Sequence, residues 1–507
     1  MLKAPRQSLK LNVLTSLAGT GWLALVQVVV VPVYLHLLGI EEYALIAFYF
    51  TLQGVLRILD LGLTPTVNRE LARYSVSAHL APQARDFART FEVLYWLVSL
   101  VVALLVWLAA PTIADHWLQR SSVPRETLLS AIRGMGLLAA LQWPLSFYQA
   151  GLLGLERQLL LNVVRGTMMT LTPAAGVLAL FLIAPSITLF FWSQIAATAI
   201  HVGIMRMVLW RNLPSASVPP RIAPGRFAGV FRFAAEMSGI TVFSMVITQA
   251  DKILLSKMLS LEMFGYYTLA GVVGNALSSM NAPIFNAILP RLTALIAEGR
   301  ETAVAPLFRL ASQGVAVLTV PTALVMALFS LEILTLWTGD AATARHTAPL
   351  LSIYILGTAL NSLMNLPYAL QLAHGWTRLA LGLSLGLAVA IVPALILAVG
   401  RFGALGAAMV WTATNFAFVC VGVPATHRRL FGHAGWYWFV DVAVVLGVAL
   451  IVVVSGRVIS LPPLGTSTTV LVLFGTGVTA ILAAGAASAT LREWMVRYLA
   501  GRFGRLA

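Results

Sequence analysis

Charged residues are scarce in this chain. Only 10% of its 507 residues are Asp, Glu, Lys or Arg, whereas 59% are hydrophobic. A water-soluble domain carries roughly 25% charged residues, so this composition excludes a mainly soluble protein and indicates that most of the chain lies in lipid. It also argues against nucleic-acid binding, because no segment forms the soluble basic domain that such binding requires.

Cysteine is almost absent as well, since Cys420 is the only one and lies in an apolar segment. A disulfide or a cysteine-based metal site within one chain is therefore excluded. The eight His form no pair at a metal-binding spacing within an apolar segment. The sequence also lacks the glycine-rich loop ending in Lys that binds ATP phosphates. We expect a protein that is not an enzyme and has no cofactor; coupling to an H⁺ or Na⁺ gradient stays open.

Long apolar segments fill most of the sequence. About 20 apolar residues in a helix cross a hydrocarbon core about 30 Å thick, and backbone groups in lipid must be hydrogen-bonded internally, so such segments are helices. We predict an all-α polytopic membrane protein with about 14 transmembrane helices. Their approximate ranges are 12–38, 43–63, 91–110, 128–152, 166–184, 186–206, 230–257, 264–285, 311–337, 347–373, 379–399, 403–424, 436–455 and 465–489.

Lys and Arg are unevenly distributed between the two sides of these helices. Cytoplasmic loops are enriched in Lys and Arg. If the N-terminus is inside, 24 of these residues fall in inner segments and 7 in outer ones. This bias predicts that both termini are cytoplasmic, and the inner positive charge is suited to contact with anionic membrane lipids.

A short repeat indicates two similar halves. Residues 38–44 and 259–265 both read Leu, small, aliphatic, Glu, any residue, aromatic, small. Each copy follows an odd-numbered helix, so the halves have the same orientation in the membrane. We predict two parallel six-helix lobes, a linker and a terminal helix pair. Their ranges are 1–206 for the first lobe, 207–229 for the proline-rich cytoplasmic linker, 230–424 for the second lobe, and 425–507 for the extra helix pair and cytoplasmic tail.

Three segments resemble polysaccharide flippases. Residues 59–73 (LDLGLTPTVNRELAR) resemble their second-helix signature, and residues 331–339 (LEILTLWTG) resemble the end of their ninth helix. Residues 251–257 (DKILLSK), followed by Glu262 and FGYY at 264–267, resemble the start of their second lobe. The chain thus resembles the O-antigen-type polysaccharide transporter family, within the multidrug/oligosaccharidyl-lipid/polysaccharide exporter superfamily.

The resemblance implies a bacterial inner-membrane protein that flips an undecaprenyl-diphosphate-linked oligosaccharide by alternating access, for surface polysaccharide assembly. Its partners would be the lipid-linked glycan, membrane lipids, and a polysaccharide polymerase or assembly protein. Two alternatives come from the same superfamily: a lipid II flippase, which is expected to carry more Arg around its cavity, and a cation-coupled drug exporter, which is expected to have an acidic cavity. A membrane glycan polymerase or ligase is an alternative of another class, against which the short outer loops argue.

Ionisable residues inside apolar segments are candidate sites, because a charge in hydrocarbon costs several kcal/mol. Arg57 and Asp60 lie at i and i+3 of the second predicted helix, on one face. We interpret Arg57 as a contact for the lipid diphosphate, modulated by Asp60; a self-paired bridge that snorkels to the interface is the alternative. Lys252 is interpreted as a second anion contact and Asp251 as its counter-charge, unless Asp251 pairs with a neighbouring helix.

Two more ionisable residues have competing interpretations. Arg133, near the outer end of the fourth predicted helix, is either a substrate-binding cavity residue or an interface anchor. Glu236 is either a protonatable coupling group or the partner of Arg232 one turn away. If transport is coupled to H⁺ or Na⁺, the candidate carboxylates are Asp60, Glu236 and Asp251.

A polar stripe lies on the tenth predicted helix, where Asn361, Asn365 and Tyr368 share one face at helical spacing. Amides pair with sugar hydroxyls and aromatic rings stack on sugars, so we interpret the stripe as a glycan-binding surface. Interhelical hydrogen bonds are the alternative for these polar side chains. The same two interpretations apply to Gln249, Asn275 and Asn281.

Overall fold

The described part of the computed structural model is helical almost throughout, and no strand lies within it. The fold is therefore all-α, as predicted. The description covers residues 9–60, 63–75, 78–118, 121–216, 218–222, 249–376, 378–432, 435–460 and 465–493.

The chain divides into two compact units, Met1–Gly265 and Tyr266–Ala507. The helices of unit 1 are α1 (Leu9–Leu56), α2 (Leu63–Ser75), α3 (Ala81–Thr112), α4 (Arg125–Gly154), α5 (Gln158–Leu182), α6 (Ile187–Asn212) and α7 (249–258). A 3₁₀ turn at Arg57–Asp60 follows α1, another at Ala78–Leu80 precedes α3, and a π-helical turn at Ile113–Trp117 extends α3.

The first helix of unit 1 contains two of the predicted helices. Gly39 adopts φ 75° and ψ 172° inside α1, which breaks it into arms at 9–38 and 40–56. Glycine occupies this left-handed φ without the steric penalty of a Cβ. The break falls between the predicted ranges 12–38 and 43–63, so the boundary between these two helices is confirmed.

Unit 2 continues with long helices packed around one apolar core. Its helices are α8 (Leu261–Ser279, which begins in unit 1), α9 (Ala282–Ala297), α10 (Glu301–Leu328), α11 (Ser330–Thr338), α12 (Ala341–Ala373), α13 (Arg378–Phe402), α14 (Ala404–Phe431), α15 (Trp436–Ile459) and α16 (Thr466–Ala487). The core is formed mainly by α10, α12, α15 and α16. The last two helices are therefore integral to this unit.

Eleven described segments are long and apolar enough to cross a membrane, which makes the chain a multi-pass membrane protein. The predicted number of about 14 is not confirmed. Most of the seventh predicted helix, 230–257, lies outside the described residues. The eighth, 264–285, corresponds to two helices, because α8 ends at Ser279 and α9 begins anew with a proline in its first turn. Proline suits a helix start, since its missing N–H has no partner there in any case.

One helix lies between the second and third predicted membrane helices, 43–63 and 91–110, where none is predicted from the sequence. The helix α2 is amphipathic and buries Leu63, Val67, Leu71 and Tyr74 along one side. It packs tightly on α4, where a Cβ on Gly154 would lie 2.4 Å from the Asn68 carbonyl oxygen. At 13 residues, it is too short to span a bilayer, which is why a search for membrane-length apolar segments misses it.

The connection between predicted lobes begins later than expected. The helix α6 continues to Asn212, six residues into the predicted 207–229 linker. Residues 213–216 and 218–222 are non-helical, and residues 223–248 lie outside the description. The predicted domain ranges 1–206, 207–229, 230–424 and 425–507 stay predictions.

Candidate functional site

The α-helical part of α1 ends just before the first candidate pair. Arg57 and Asp60 occupy a 3₁₀ turn, so they do not share an α-helical face as predicted. Asp60 instead accepts hydrogen bonds from the Thr64 hydroxyl (2.7 Å) and the Thr64 backbone N–H (3.3 Å). The Thr64 hydroxyl also lies 3.4 Å from the Tyr95 hydroxyl. Asp60 therefore fastens the start of α2, and the self-paired bridge with Arg57 is not formed.

Arg57 is exposed and has no carboxylate partner within the described residues. Gln249 lies against the same end of α1, because a Cβ on Gly54 would stand 2.9 Å from the Gln249 side-chain Cδ. The absence of a side chain at Gly54 admits this close approach. Gln249 thus contacts the chain at Gly54, three residues before Arg57, so both predicted site residues lie at this end of α1 in unit 1.

The beginning of the described part of α7 carries the next pair. The Lys252 Nζ lies 3.5 Å from the Asp251 Oδ1, so these neighbours interact although adjacent positions on a helix diverge. Their side chains are 31% and 15% exposed. At the other end of α7, Lys257 lies 5.1 Å above the Trp117 ring, and the Trp117 indole N–H donates to the Ser256 hydroxyl at 3.0 Å. These contacts fix α7 to the π-helical turn after α3.

Two predicted site residues lie elsewhere. Arg133 lines a cavity of about 240 Å³ formed by α3, α4 and α6. Its guanidinium carbon lies 4.6 Å from the centre of the Trp107 ring. Glu236 falls outside the described residues.

The stripe on α12 is the main polar feature of unit 2. Asn361 and Tyr368 are exposed and Asn365 is half-buried. The Asn361 side-chain NH₂ donates to the Asn415 side-chain oxygen at 2.8 Å. This nitrogen therefore makes the interhelical hydrogen bond that was the alternative to glycan binding. Tyr368 lies nearly parallel to Phe285 of α9, with 6.5 Å between ring centres.

Asn275 of α8 directly follows Gly274, a residue that packs on α12. A Cβ on Gly274 would stand 2.5 Å from the Tyr354 ring and 3.3 Å from the Thr358 hydroxyl, which places α8 against α12 one turn before Asn361. Asn275 is exposed. We group these exposed or half-buried polar and aromatic side chains under one name, the α12 strip (Asn275, Asn361, Asn365 and Tyr368).

Asn281 does not belong to the α12 strip. It is only 1% exposed and accepts a hydrogen bond from the Thr319 hydroxyl at 3.1 Å. Its amide nitrogen donates to the Leu277 carbonyl at 3.4 Å. Asn281 therefore makes hydrogen bonds within the protein, the alternative to glycan binding, because both its oxygen and its nitrogen have partners inside the unit.

Sequence reasoning missed an extensively hydrogen-bonded carboxylate, Glu92 of α3. It is 2% exposed and accepts from the Tyr148 hydroxyl (2.8 Å), the Arg206 Nε (2.8 Å) and the Trp210 indole (3.1 Å). Arg89, one turn earlier, donates to its other oxygen at 2.9 Å. The signal was present, since Glu92 is an acid inside the predicted 91–110 helix.

Candidate binding side chains lie in both units of the described structure. Within them, no three His, Cys, Asp or Glu side chains come close enough to hold a metal ion. Unit 1 presents an exposed cation, Arg57, next to an amide, and unit 2 presents amides and an aromatic ring. Side chains of these types can hydrogen-bond to phosphate oxygens and to sugar hydroxyls.

The comparisons with known proteins agree on one group. A family model described as polysaccharide biosynthesis protein matches residues 9–296. The putative O-antigen transporter of Shigella flexneri is 21% identical over 378 residues, which are 74% of this chain and 87% of that protein.

Solved structures share the fold. The lipid II flippase MurJ in an inward closed conformation gives a TM-score of 0.71 at 12% identity, with 92% of this chain and 97% of that chain covered. An inward-facing multidrug resistance MATE transporter of the MOP superfamily gives 0.62 at 12% identity, with 81% and 95% covered. At such identities the likeness establishes a shared transporter fold and leaves the cargo open.

Proposed function

Because this chain belongs to the polysaccharide biosynthesis protein family, we propose that it flips an undecaprenyl-diphosphate-linked oligosaccharide across the bacterial cytoplasmic membrane. Supporting this cargo, its Shigella relative is named a putative O-antigen transporter. The multi-pass all-α fold and the transporter fold of the solved relatives fit such a role. We further propose that transport proceeds by alternating access and that both termini are cytoplasmic, as the loop charges predict.

The α12 strip is the observation that carries this proposal. Three of its four residues lie on α12, a helix apolar enough to span the membrane, and Asn361 is 12 residues, about 18 Å at 1.5 Å per residue, from the end of α12 at Ala373. An amide exposed to lipid at that depth would lose its water partners at a cost of several kcal/mol. A strip of this composition is therefore suited to a hydrated path or a glycan, and poorly suited to contact with acyl chains.

Arg57 supplies the complementary charge. A cation without a carboxylate partner in a membrane protein is neutralised most favourably by a ligand anion, and guanidinium groups bind phosphate through two parallel hydrogen bonds. In the proposed mechanism Arg57 contacts the diphosphate, with Gln249 and Lys252 of the same unit as further contacts. Pairing with sugar hydroxyls is proposed as the role of the α12 strip in unit 2. The polyprenyl tail stays in the bilayer, so only the polar head needs shielding.

Coupling to an ion gradient is a separate part of the proposal. Asp60 and Asp251 are the described candidates, and each already has a partner, Thr64 or Lys252. Proton or Na⁺ binding would have to compete with these contacts. Glu236 completes the set of candidates.

The alternatives within the superfamily differ in the charge of the binding surface. A cation-coupled drug exporter would present exposed carboxylates to its cargo, whereas the α12 strip holds amides and Tyr368, and unit 1 exposes Arg57. A lipid II flippase would bind the same diphosphate group, so it differs from the proposed transporter only in the sugar that it carries. A membrane polymerase or ligase would need a reactive cluster in addition to the binding groups.

Reconstitution into proteoliposomes tests the cargo. We expect wild-type protein to flip a fluorescently labelled polyprenyl-diphosphate oligosaccharide faster than lipid II, and not to export a cationic dye. Arg57→Ala should slow flipping about tenfold, since a hydrogen bond to a charged group contributes about 1.5–3 kcal/mol, while Arg401→Ala, an exposed Arg at an end of α13, serves as the control. Equal rates for wild type and Arg57→Ala would remove the site assignment, and faster lipid II or dye transport would replace the cargo.

A further inference from the structure

The cavity around Arg133 is built by two glycines of α4. A Cβ on Gly134 would lie 2.9 Å from the Phe191 Cβ of α6, and one on Gly136 would lie 2.7 Å from the Val106 side chain of α3. Both neighbours are drawn in close to α4 because no side chain separates them. Trp107 and Trp192, each the next residue in its helix, then stand on either side of the cavity.

The wall contributed by α4 has its polar groups on one face. Glu126, Ser130, Arg133 and Leu137 line the cavity at i, i+4, i+7 and i+11, the spacing of a single helix face. Glu126 lies in the exposed first turn of α4 and Arg133 lies two turns deeper. The cavity therefore has a negative charge at its mouth and a positive charge inside.

Within the part of the chain that the structure describes, Arg133 has no partner that neutralises its charge. Its Nε is buried without a hydrogen bond, and its guanidinium group lies over the face of the Trp107 ring. Within the described residues no carboxylate pairs with it, since the neighbouring Arg125 takes Asp115 at 2.7 Å and Glu126 is seven residues away. An unpaired cation in an apolar helix is costly, and buried polar atoms nearly always have a partner, so this geometry calls for an anion.

The depth of the cavity matches a lipid headgroup. Arg133 lies eight residues from the start of α4, about 12 Å at 1.5 Å per residue, at the end that the loop charges place outside. Trp side chains concentrate at this level, between headgroups and acyl chains. Leu100, Leu104 and Trp107 lie along one face of α3 and are 65%, 55% and 44% exposed, so an apolar track leads from the cavity toward the middle of the bilayer.

We propose that this cavity binds a phospholipid whose headgroup carries a phosphate and a primary ammonium, as phosphatidylethanolamine does. The phosphate pairs with Arg133 and accepts from Ser130, the ammonium pairs with Glu126, and an acyl chain follows Leu104 and Leu100. A volume of about 240 Å³ is below the usual range of roughly 300–1,000 Å³ for ligand pockets, which suits a small headgroup and excludes an oligosaccharide. We therefore assign Arg133 to a lipid site and not to the substrate path.

The order of the two charges distinguishes this headgroup from others. An anionic phosphatidylglycerol would pair with Arg133 but place its uncharged glycerol beside Glu126, with no cation to pair with it. Phosphatidylcholine keeps the positive charge but has no N–H to donate to a carboxylate. Free phosphate lacks both the ammonium and the chain that follows α3.

Native mass spectrometry of purified protein, incubated with equal amounts of the three lipids carrying identical chains, tests the assignment. We expect wild type to retain phosphatidylethanolamine in preference to the other two. Arg133→Gln should lower that retention about tenfold, and Glu126→Gln should abolish the preference over phosphatidylglycerol while leaving total lipid retention close to wild type. Arg401→Gln, which removes an exposed Arg elsewhere, should match wild type.

Three results would overturn the proposal. They are equal retention by wild type and Arg133→Gln, an unchanged preference in Glu126→Gln, and displacement of the lipid by inorganic phosphate. Glu126 is exposed, so its variant keeps the test decisive even if Arg133→Gln folds poorly. Because lipid retention is measured without transport, the outcome is independent of the proposed flipping activity.

Discussion

At the scale of single residues, two asparagines of unit 2 have different roles: one supports the fold and the other is a candidate for ligand binding. Asn281 uses both ends of its amide inside the protein, with Thr319 and Leu277. Asn365 is half-buried on the α12 strip and has no hydrogen bond within the described residues. The same side chain thus serves the fold in one place and is free for a ligand in the other.

The same change, Asn to Leu, should therefore affect transport at one position and stability at the other. Asn365→Leu should slow glycan flipping about fivefold, the effect of one lost hydrogen bond of about 1 kcal/mol, and leave the melting temperature unchanged or higher. Asn281→Leu should instead destabilise the protein by about 1–3 kcal/mol, because the buried Thr319 hydroxyl loses its acceptor. Flipping assays and thermal unfolding of both variants check this, and the reverse pattern would contradict the placement of the α12 strip.

Asp340 allows a pH prediction outside the membrane-spanning helices. Its carboxylate caps α12 by accepting from the backbone N–H groups of Thr343 (2.9 Å) and Ala342 (3.1 Å). Hydrogen bonds from the Thr343 hydroxyl and backbone hold the pKa of Asp340 below its ordinary value. Because the folded-state pKa is lowered, the capping contribution is present above the unfolded-state pKa and is lost as the pH falls through the folded-state pKa.

Asp340→Ala should therefore lower stability by about 1 kcal/mol at neutral pH, as expected for a lost N-cap. The difference from wild type should begin to shrink as the pH falls below about 4, the ordinary pKa of an unfolded-state Asp, and should vanish as it falls through the lowered folded-state pKa. Melting temperatures of both proteins across this pH range measure it. A constant difference at all pH values would mean that Asp340 acts through something other than its charge.

At the scale of helices, Glu92 is the point where α3, α4 and α6 are tied together. It receives hydrogen bonds from Tyr148 of α4 and from Arg206 and Trp210 of α6. Removing one member of a buried, charged network leaves the others unpaired, and this costs more than the network itself contributes. Glu92 is therefore expected to matter for the integrity of unit 1.

Glu92→Ala should destabilise the protein by about 3 kcal/mol, while Glu92→Gln, which keeps an acceptor oxygen, should cost less. Glu298→Ala removes an exposed carboxylate and serves as the matched control, with a change within about 0.5 kcal/mol. Thermal unfolding in detergent measures all three. If Glu92→Ala were as stable as Glu298→Ala, the hydrogen bonds of Glu92 would not contribute to the stability of the protein.

The helices also show which parts of the fold can be predicted from sequence. Long apolar segments such as 128–152 and 347–373 predict α4 and α12 well, because lipid leaves a chain few other structures. The helix α2 and the break between α8 and α9 were missed, since one is too short to span and the other interrupts a continuous apolar segment.

Site residues were harder to predict than helices. The spacing of residues along a helix shows which of them share a face, but it does not show whether that face packs on another helix or is exposed. The stripe of Asn361, Asn365 and Tyr368 is on one face as expected, whereas Asn281 points into the core. The hydrogen bonds of Asp60 follow from a 3₁₀ turn that no periodicity reveals. Glu92 was visible as an acid in an apolar segment, but its partners come from positions 56 and 114 residues away.

At the scale of the whole molecule, the last two helices are bound to unit 2 by charge as well as by apolar packing. Arg309 of α10 pairs with Asp441 of α15 through two hydrogen bonds of 2.7 and 2.9 Å. Arg457, near the end of α15, pairs with Glu332 of α11. The apolar seam between α10, α15 and α16 includes Val445 and Ala480 with no exposed surface. Truncation before α15 would expose this seam, so the pair is part of the fold.

The distribution of Lys and Arg makes the orientation of the whole chain testable. Cys420 is the only cysteine, so Cys420→Ser gives a thiol-free background. In that background, Glu298→Cys, between α9 and α10, should react with a membrane-impermeant maleimide only after the cells are opened. Ala341→Cys, at the start of α12, should react in intact cells, because the charge bias places it outside. The opposite labelling pattern would invert the membrane orientation, and with it the leaflet assigned to the Arg133 cavity.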